Sequence, residues 1–441
     1  MNKSLFSIFC FLLQTILLPH ISFATDDIAA IWRLPPIADL IEQGLRENKN
    51  LHSLREQEKS LRHSVSYAAS LDDPKIGFGL LNLPADTYSF DQEPMTQKQI
   101  FVSQKFPWFG KLSLKEQKAL YQTQIQSLIL QSKELELAQQ ISAAYFDLAF
   151  IVKSKTVNEK LTSKVEQILR TVEVSYATGR GLQQDVLQAQ VELSKLLNNK
   201  IDLDQQQATL TYRLTELLDA SQTLSLPSFT DFTLPDLHFS SERISKLARE
   251  HNLDLQTKKI NMAMAEVDTR LAEKTYWPDM DVRLSYGQRD ESQTGVDWAD
   301  FVSATVTVNL PLWKKNRQDK QIAASKNRAE AAAKSFQNLY DTLPTKTGAL
   351  LAEIKAGQEN YNLFTKGLLL QADQAAKSSL AAYEVGKIEF NSMMTSQIRL
   401  LQFELQAQKY LFNTYKKWVE LARLIGLHPL AANAVENENT N

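Results

Sequence analysis

From Leu112 to Thr178 the chain runs for 67 residues without a glycine or a proline. At 1.5 Å per residue, an unbroken helix over that stretch would reach roughly 100 Å. No compact domain needs such a rod. Its apolar residues, among them Ile125, Leu128, Leu135, Ile141, Tyr145 and Leu148, follow helical spacing, and Lys, Glu and Gln fill most of the rest. That is the narrow stripe of a coiled coil rather than the broad face of a helix lying on a core. Gly179 and Gly181 then turn the chain, and Leu182 to Leu218 runs back without a breaker. The pattern predicts long helices over 112–178 and 182–219, joined by a tip at Ala177 to Gly181.

The tip occurs twice. "SYATGRGLQQDVLQAQVEL" (175–193) aligns without a gap on "AYEVGKIEFNSMMTSQIRL" (382–400) at an offset of 207, pairing Tyr176 with Tyr383 and Gly179 with Gly386. Farther upstream "DDPKIGFG" falls on the stretch beginning "WPDMDVRLSYG" at an offset of 204, Pro74 on Pro278, and "FPWFGK" (106–111) on "LPLWKK" (310–315) at the same offset. "LRENKNL" (45–51) falls on "LAREHNL" (247–253) at 202. Four matches in order are a two-fold duplication. The expected repeats are 25–219 and 241–426, with a linker over 220–240. Helices are expected over 316–384 and 387–425 in the second repeat. Pro344, Gly348, Gly357 and Gly367 interrupt the first of these.

Each repeat also carries two segments whose period is two. Helical spacing from Ile37 to Ser70 is stopped by Asp72-Asp73-Pro74, and strands are expected at about 74–84 and 96–106. In the second repeat they fall at about 278–288 and 300–310. Met280, Val282, Leu284 and Tyr286 lie on one face of the third, and Val302, Ala304, Val306 and Val308 on one face of the fourth. About ten residues is the length with which a tilted strand crosses a bilayer, yet four strands cannot close, and a membrane barrel needs at least about eight. Strands that span a membrane must therefore be pooled from several chains, since an open edge in lipid leaves backbone groups unpaired. Periodicity alone also fits two soluble hairpins packed on helices. Trp108, Trp277 and Trp313 sit where strands give way to helix, as an interfacial aromatic girdle requires.

The amino terminus predicts export. Lys3, the apolar run Leu5 to Leu18 and the small residues of Ser22-Phe23-Ala24 read as a signal peptide over 1–24. The only cysteine, Cys10, lies within it, so the mature chain offers no disulfide or thiolate chemistry. A net charge of −2 gives no reason to expect a nucleic-acid partner. The tail, 427–441, ends in "ENENTN" and reads as disordered.

Taken in order, these elements and the two tips "YATGRGLQQDVLQAQ" and "YEVGKIEFNSMMTSQ" resemble the TolC-like outer-membrane factor family over essentially the whole mature chain. "DDPKIGFGLLNLPADTYSFDQEPMTQKQIFVSQKFPWFGK" further resembles its cation-efflux (CzcC/CusC-like) branch. The resemblance implies a mostly α protein with membrane β. Three copies would give four strands each to a twelve-stranded outer-membrane barrel, continued by a periplasmic α-helical coiled-coil barrel. It implies a homotrimer in a Gram-negative outer membrane, working as a passive duct with a periplasmic adaptor and an inner-membrane transporter of RND type. The cargo would be metal cations or small toxic compounds. The aligned positions carry adaptor binding onto Gly179, Arg180, Gly386 and Lys387. They carry a periplasmic constriction onto Ser392 and Thr395, neither of them acidic, with Asp185 and Glu389 nearby. The alternatives are the exit channel of a type I protein secretion system and a soluble periplasmic coiled-coil scaffold.

Other chemistry finds no support in the residues. The histidines show no ligand spacing, and no catalytic arrangement is apparent, so neither an enzyme nor a cofactor is expected. Met393-Met394 could contact soft Cu(I), but helical Met is more often core. No metal site is assigned.

Overall fold

The computed structural model describes residues 28, 30–220, 232, 234 and 240–429. The expected signal peptide, most of the 220–240 linker and the tail beyond 429 lie outside them. The described elements are α1 (Ile37–Glu47), α2 (Lys49–Ala69), β1 (Lys75–Leu81), β2 (Gln97–Phe106), α3 (Lys111–Ala177), α4 (Gln183–Leu217), α5 (Ser241–His251) and α6 (Leu253–Glu273). After them come β3 (Met280–Gln288), β4 (Phe301–Val308), α7 (Gln318–Leu363), a π-helical turn (Phe364–Leu368), α8 (Leu369–Glu384) and α9 (Phe390–Ile425). The chain divides into two compact units: one within Met1–His52, Gln131–Asn252 and Asp341–Asn441, the other within Ser53–Leu130 and Leu253–Tyr340.

The second unit holds the sheet. Its four strands are antiparallel in the order β1-β2-β3-β4, which leaves β1 and β4 as edges. The register aligns Phe78, Ile100, Tyr286 and Val302 in one row, and Ile76, Val102, Leu284 and Ala304 in the next. Phe106, Met280 and Val308 make a third row, and Gln104, Val282 and Val306 a fourth. Most of this apolar face is turned outward: Phe78 is 79% exposed and Val302 81%. The other face is polar, apart from Leu81, Phe101 and Phe301.

The first unit is helical and buries its apolar stripes. Phe146 on α3 is fully buried and stacks on Tyr415 of α9 with ring centroids 5.1 Å apart, beside Phe232 and Phe412. Toward the tips, Val157, Leu161, Val165, Ile168 and Val172 of α3 share a cluster with Phe390, Met393, Met394 and Leu401 of α9. Met393 and Met394 thus serve as core side chains.

The structure corrects three of the expectations. The helical pattern from Ile37 to Ser70 is two helices, because Asn48 takes an extended ψ of 116°. Its side-chain oxygen accepts from the N–H groups of Asn50 (3.1 Å) and Leu51 (3.2 Å) and so starts α2 afresh. Asn252 breaks α5 from α6 with a ψ of 119°. The Nδ2 of Asn48 donates to Leu217 O at 3.4 Å, and that of Asn252 to Leu424 O at 2.8 Å. These two asparagines are 204 positions apart, so the structural equivalence here follows the offset of the strands and not the 202 that aligned Leu45 with Leu247. The second outbound helix, finally, is not interrupted at Pro344, Gly348 or Gly357, all of which lie inside α7. A proline inside a helix costs about 3 kcal/mol through its lost N–H and ring clash, and the burial of Leu343, Thr347 and Leu350 around it offsets that cost. Only the π-helical turn containing Gly367 departs from the α form.

Candidate functional site

The residues singled out in the sequence fall in two places: the helical tips in the first unit and the sheet with its junctions in the second.

Each tip ends a helix on a left-handed glycine, Gly179 at φ 72° and Gly386 at φ 67°. Gly179 N–H donates to Tyr176 O and Arg180 N–H to Ser175 O, both at 2.9 Å; Gly386 and Lys387 repeat the pair onto Tyr383 O and Ala382 O at 2.9 Å. This is the Schellman closure, which satisfies orphan carbonyls at a helix end and requires the positive φ that glycine adopts without strain. Nothing lies within 4 Å of where a side chain would begin at either glycine. Gly179, Arg180, Gly386 and Lys387 are all exposed. The tips therefore present their cationic residues freely.

The four candidate constriction residues differ in their surroundings. Glu389 is the exposed N-cap of α9, and Ser392 and Thr395 are exposed on its first turns. Thr395 borders an open groove of about 480 Å³ between α4 and α9, together with Leu187, Val191, Met394 and Ile398. Asp185, in contrast, is engaged: Tyr383 of the second repeat donates its hydroxyl to Asp185 Oδ2 at 3.1 Å. Burial and the adjacent Asp185 carboxylate push the Tyr383 hydroxyl up to about 12. In the sequence Tyr383 stands out only as the match of Tyr176. Its pairing needs the three-dimensional neighbour, although the exposed Tyr176 marks the same position in the first repeat.

At the sheet, the two junctions of strand and helix are tied together. Asp279, just before β3, accepts the Trp108 N–H at 2.9 Å and pairs with Lys111 Nζ at 2.7 Å. Burial opposes the Asp279 charge, but the Lys111 ammonium and the Trp108 N–H outweigh it and hold the carboxyl below its usual pKa. Trp108 and Trp277 stack with centroids 4.9 Å apart and planes 9° from parallel. Trp313 does not join them and stands 72% exposed after β4. At the opposite end of the sheet the two hairpin loops meet, with Lys98 on Asp290 at 2.8 Å and Arg289 Nη1 donating to Pro94 O at 2.9 Å. Met280 and Val282 are partly covered within the single chain, whereas Leu284, Tyr286, Val302, Ala304, Val306 and Val308 are exposed.

No helix among the described residues is long and apolar enough to cross a membrane, and no group of three or more His, Cys, Asp or Glu among them could hold a metal ion.

Comparison with known proteins agrees with this geometry. The model of the outer membrane efflux protein family matches residues 40–220 and 244–427. No protein of curated function matches the sequence. Among solved structures the fold is similar to that of CusC, at 13% identity and a TM-score of 0.73 over 88% of this chain and 92% of that one. It is similar also to VceC of Vibrio cholerae, at 15% identity and a TM-score of 0.74 over 90% and 98%. The open-state MtrE channel of Neisseria gonorrhoeae gives 13%, 0.74 and 89% of each chain. The chain therefore belongs to the outer membrane efflux protein family, as an outer-membrane channel protein and not an enzyme.

Proposed function

We propose that the protein is the exit duct of a tripartite efflux pump, built from three copies whose sheets close into one twelve-stranded barrel. The observation that carries this reading is a four-stranded sheet with two open edges and a mostly apolar, largely exposed face. In water such a face would have to be covered, and in lipid its edges would have to be paired. Adding β1 of one copy to β4 of the next pairs the edges, and placing the closed barrel in lipid covers the face. Met280, Val282, Leu284, Tyr286, Val302, Ala304, Val306 and Val308 then face lipid, with Trp108, Trp277 and Trp313 at the interface.

The helical unit extends into the periplasm and conducts passively. Its tips, through Gly179, Arg180, Gly386 and Lys387, receive the hairpins of a periplasmic adaptor, which couples the duct to an inner-membrane transporter of RND type that supplies the energy. Asp185, Glu389, Ser392 and Thr395 lie around the periplasmic end, where the Tyr383–Asp185 bond ties the repeats together. The cargo is metal cations or small toxic compounds. Purified protein inserted in planar lipid bilayers tests the duct: discrete single-channel conductance is expected, and membranes that stay silent with correctly folded protein would refute it.

A further inference from the structure

The polar face of the sheet is not electrically neutral. Lys75, Ser103, Arg283 and Thr305 form one row across the four strands, and Lys105, Asp281 and Thr307 part of the row beside it. Lys75, Lys105 and Arg283 are exposed, and Asp281 is the one acid among the strand residues of that face. The Arg283 guanidinium lies 3.9 Å from the centroid of the Phe101 ring, a cation–π contact that fixes its charge over the neighbouring strand. These rows lie at the ends of the strands that join the helices.

A cavity of about 530 Å³ continues the pattern in the same unit, bordered by Lys105, Lys111, Lys115, Lys118 and Arg328. Its acids are Asp72, Asp268 and Asp279. Asp279 is taken by Lys111, and Asp268 by Lys118 at 2.7 Å. Lys105, Lys115 and Arg328 remain against Asp72. Row and cavity together give a surplus of positive charge that each added copy would multiply around a closed ring.

We propose that this basic collar makes the duct selective for anions, which narrows the two cargo classes of the proposed duct to the second, small toxic compounds that carry negative charge, such as oxyanions or deprotonated organic acids. The inference rests on the reading that the polar face lines the pore. Low-dielectric walls focus the field of such a ring, raising the local concentration of anions and repelling aqueous cations.

The test is the reversal potential of the full-length channel in a planar bilayer under a potassium chloride gradient at low ionic strength. Wild type should prefer chloride, and Lys75→Gln with Lys105→Gln should lower the chloride-to-potassium permeability ratio about twofold or more. Inorganic tripolyphosphate should reduce the wild-type current and spare that of the double variant. A potassium preference in wild type, or a chloride preference that the substitutions leave in place, would overturn the collar while leaving the duct standing. Absence of any conductance would remove the duct itself and the selectivity with it.

Discussion

Leu148 and Leu284 carry the same side chain into opposite settings. Leu148, on α3, is fully buried in the helical unit, whereas Leu284, at the centre of β3, is 58% exposed in a row of apolar neighbours. An exposed leucine is ordinary, but a whole sheet face of apolar side chains is not. The helical unit is folded for water, with apolar stripes inward and Lys, Glu and Gln outward. The sheet reverses that rule on one face and keeps it on the other, as befits a wall between lipid and a wet pore.

The strongest way to break the contrast is to place a charge where lipid is expected. Leu284→Arg should cost about 2–4 kcal/mol per copy near the bilayer midplane. Three copies would feel it together, so a detergent-resistant oligomer expected of wild type on gels of unboiled outer-membrane fractions should be absent from the variant. A soluble hairpin would accept the same arginine on its exposed face with little change. Next in size is the buried partner of the comparison. Leu148→Ala should destabilise the helical unit by about 2–5 kcal/mol, lowering the denaturation midpoint followed by circular dichroism and leaving membrane insertion intact in the surviving protein.

Smaller effects sharpen the picture at the tips. Gly386→Ala meets no neighbour but forces a left-handed φ on an L side chain, an expected loss of about 1–2 kcal/mol. It should weaken adaptor capture more than it alters conductance. Tyr383→Phe should cost about 0.5–1.5 kcal/mol and raise the open probability of single channels by freeing one repeat tip from the other. The pH dependence has a definite sign. The Tyr383 pKa, raised by burial and then by Asp185 to about 12, means the protonated hydroxyl stabilises the fold fully below the ordinary tyrosine value of about 10. That contribution fades as pH climbs through about 12, and the phenylalanine variant should show a smaller alkaline loss, the remainder belonging to Tyr145 and Tyr415, which burial also raises to about 12.

Much of this architecture is legible in the residues alone. The strands announce themselves because alternation has no competing explanation over seven to ten residues, and the long helices because little in them breaks. Asn48 and Asn252 do not stand out as breaks, because asparagine only weakly opposes a helix and the apolar spacing passes through them. Their effect comes with hydrogen bonds to Leu217 O and Leu424 O, which are remote in sequence. Pro344 misleads in the other direction, since buried neighbours carry the helix past it. Of the site residues, the tip glycines are readable from the repeated turn, while Tyr383–Asp185 and Asp279–Lys111 join different repeats. The basic row containing Lys75 and Arg283 also needs the register, because strand pairing alone brings those two charges level.

A sheet that is incomplete in one chain must be completed by its copies. Native mass spectrometry of protein extracted from outer membranes in mild detergent measures that sharing directly. A single species with the mass of three mature chains is expected. A monodisperse single chain, stable in aqueous periplasmic extract without detergent, would contradict it.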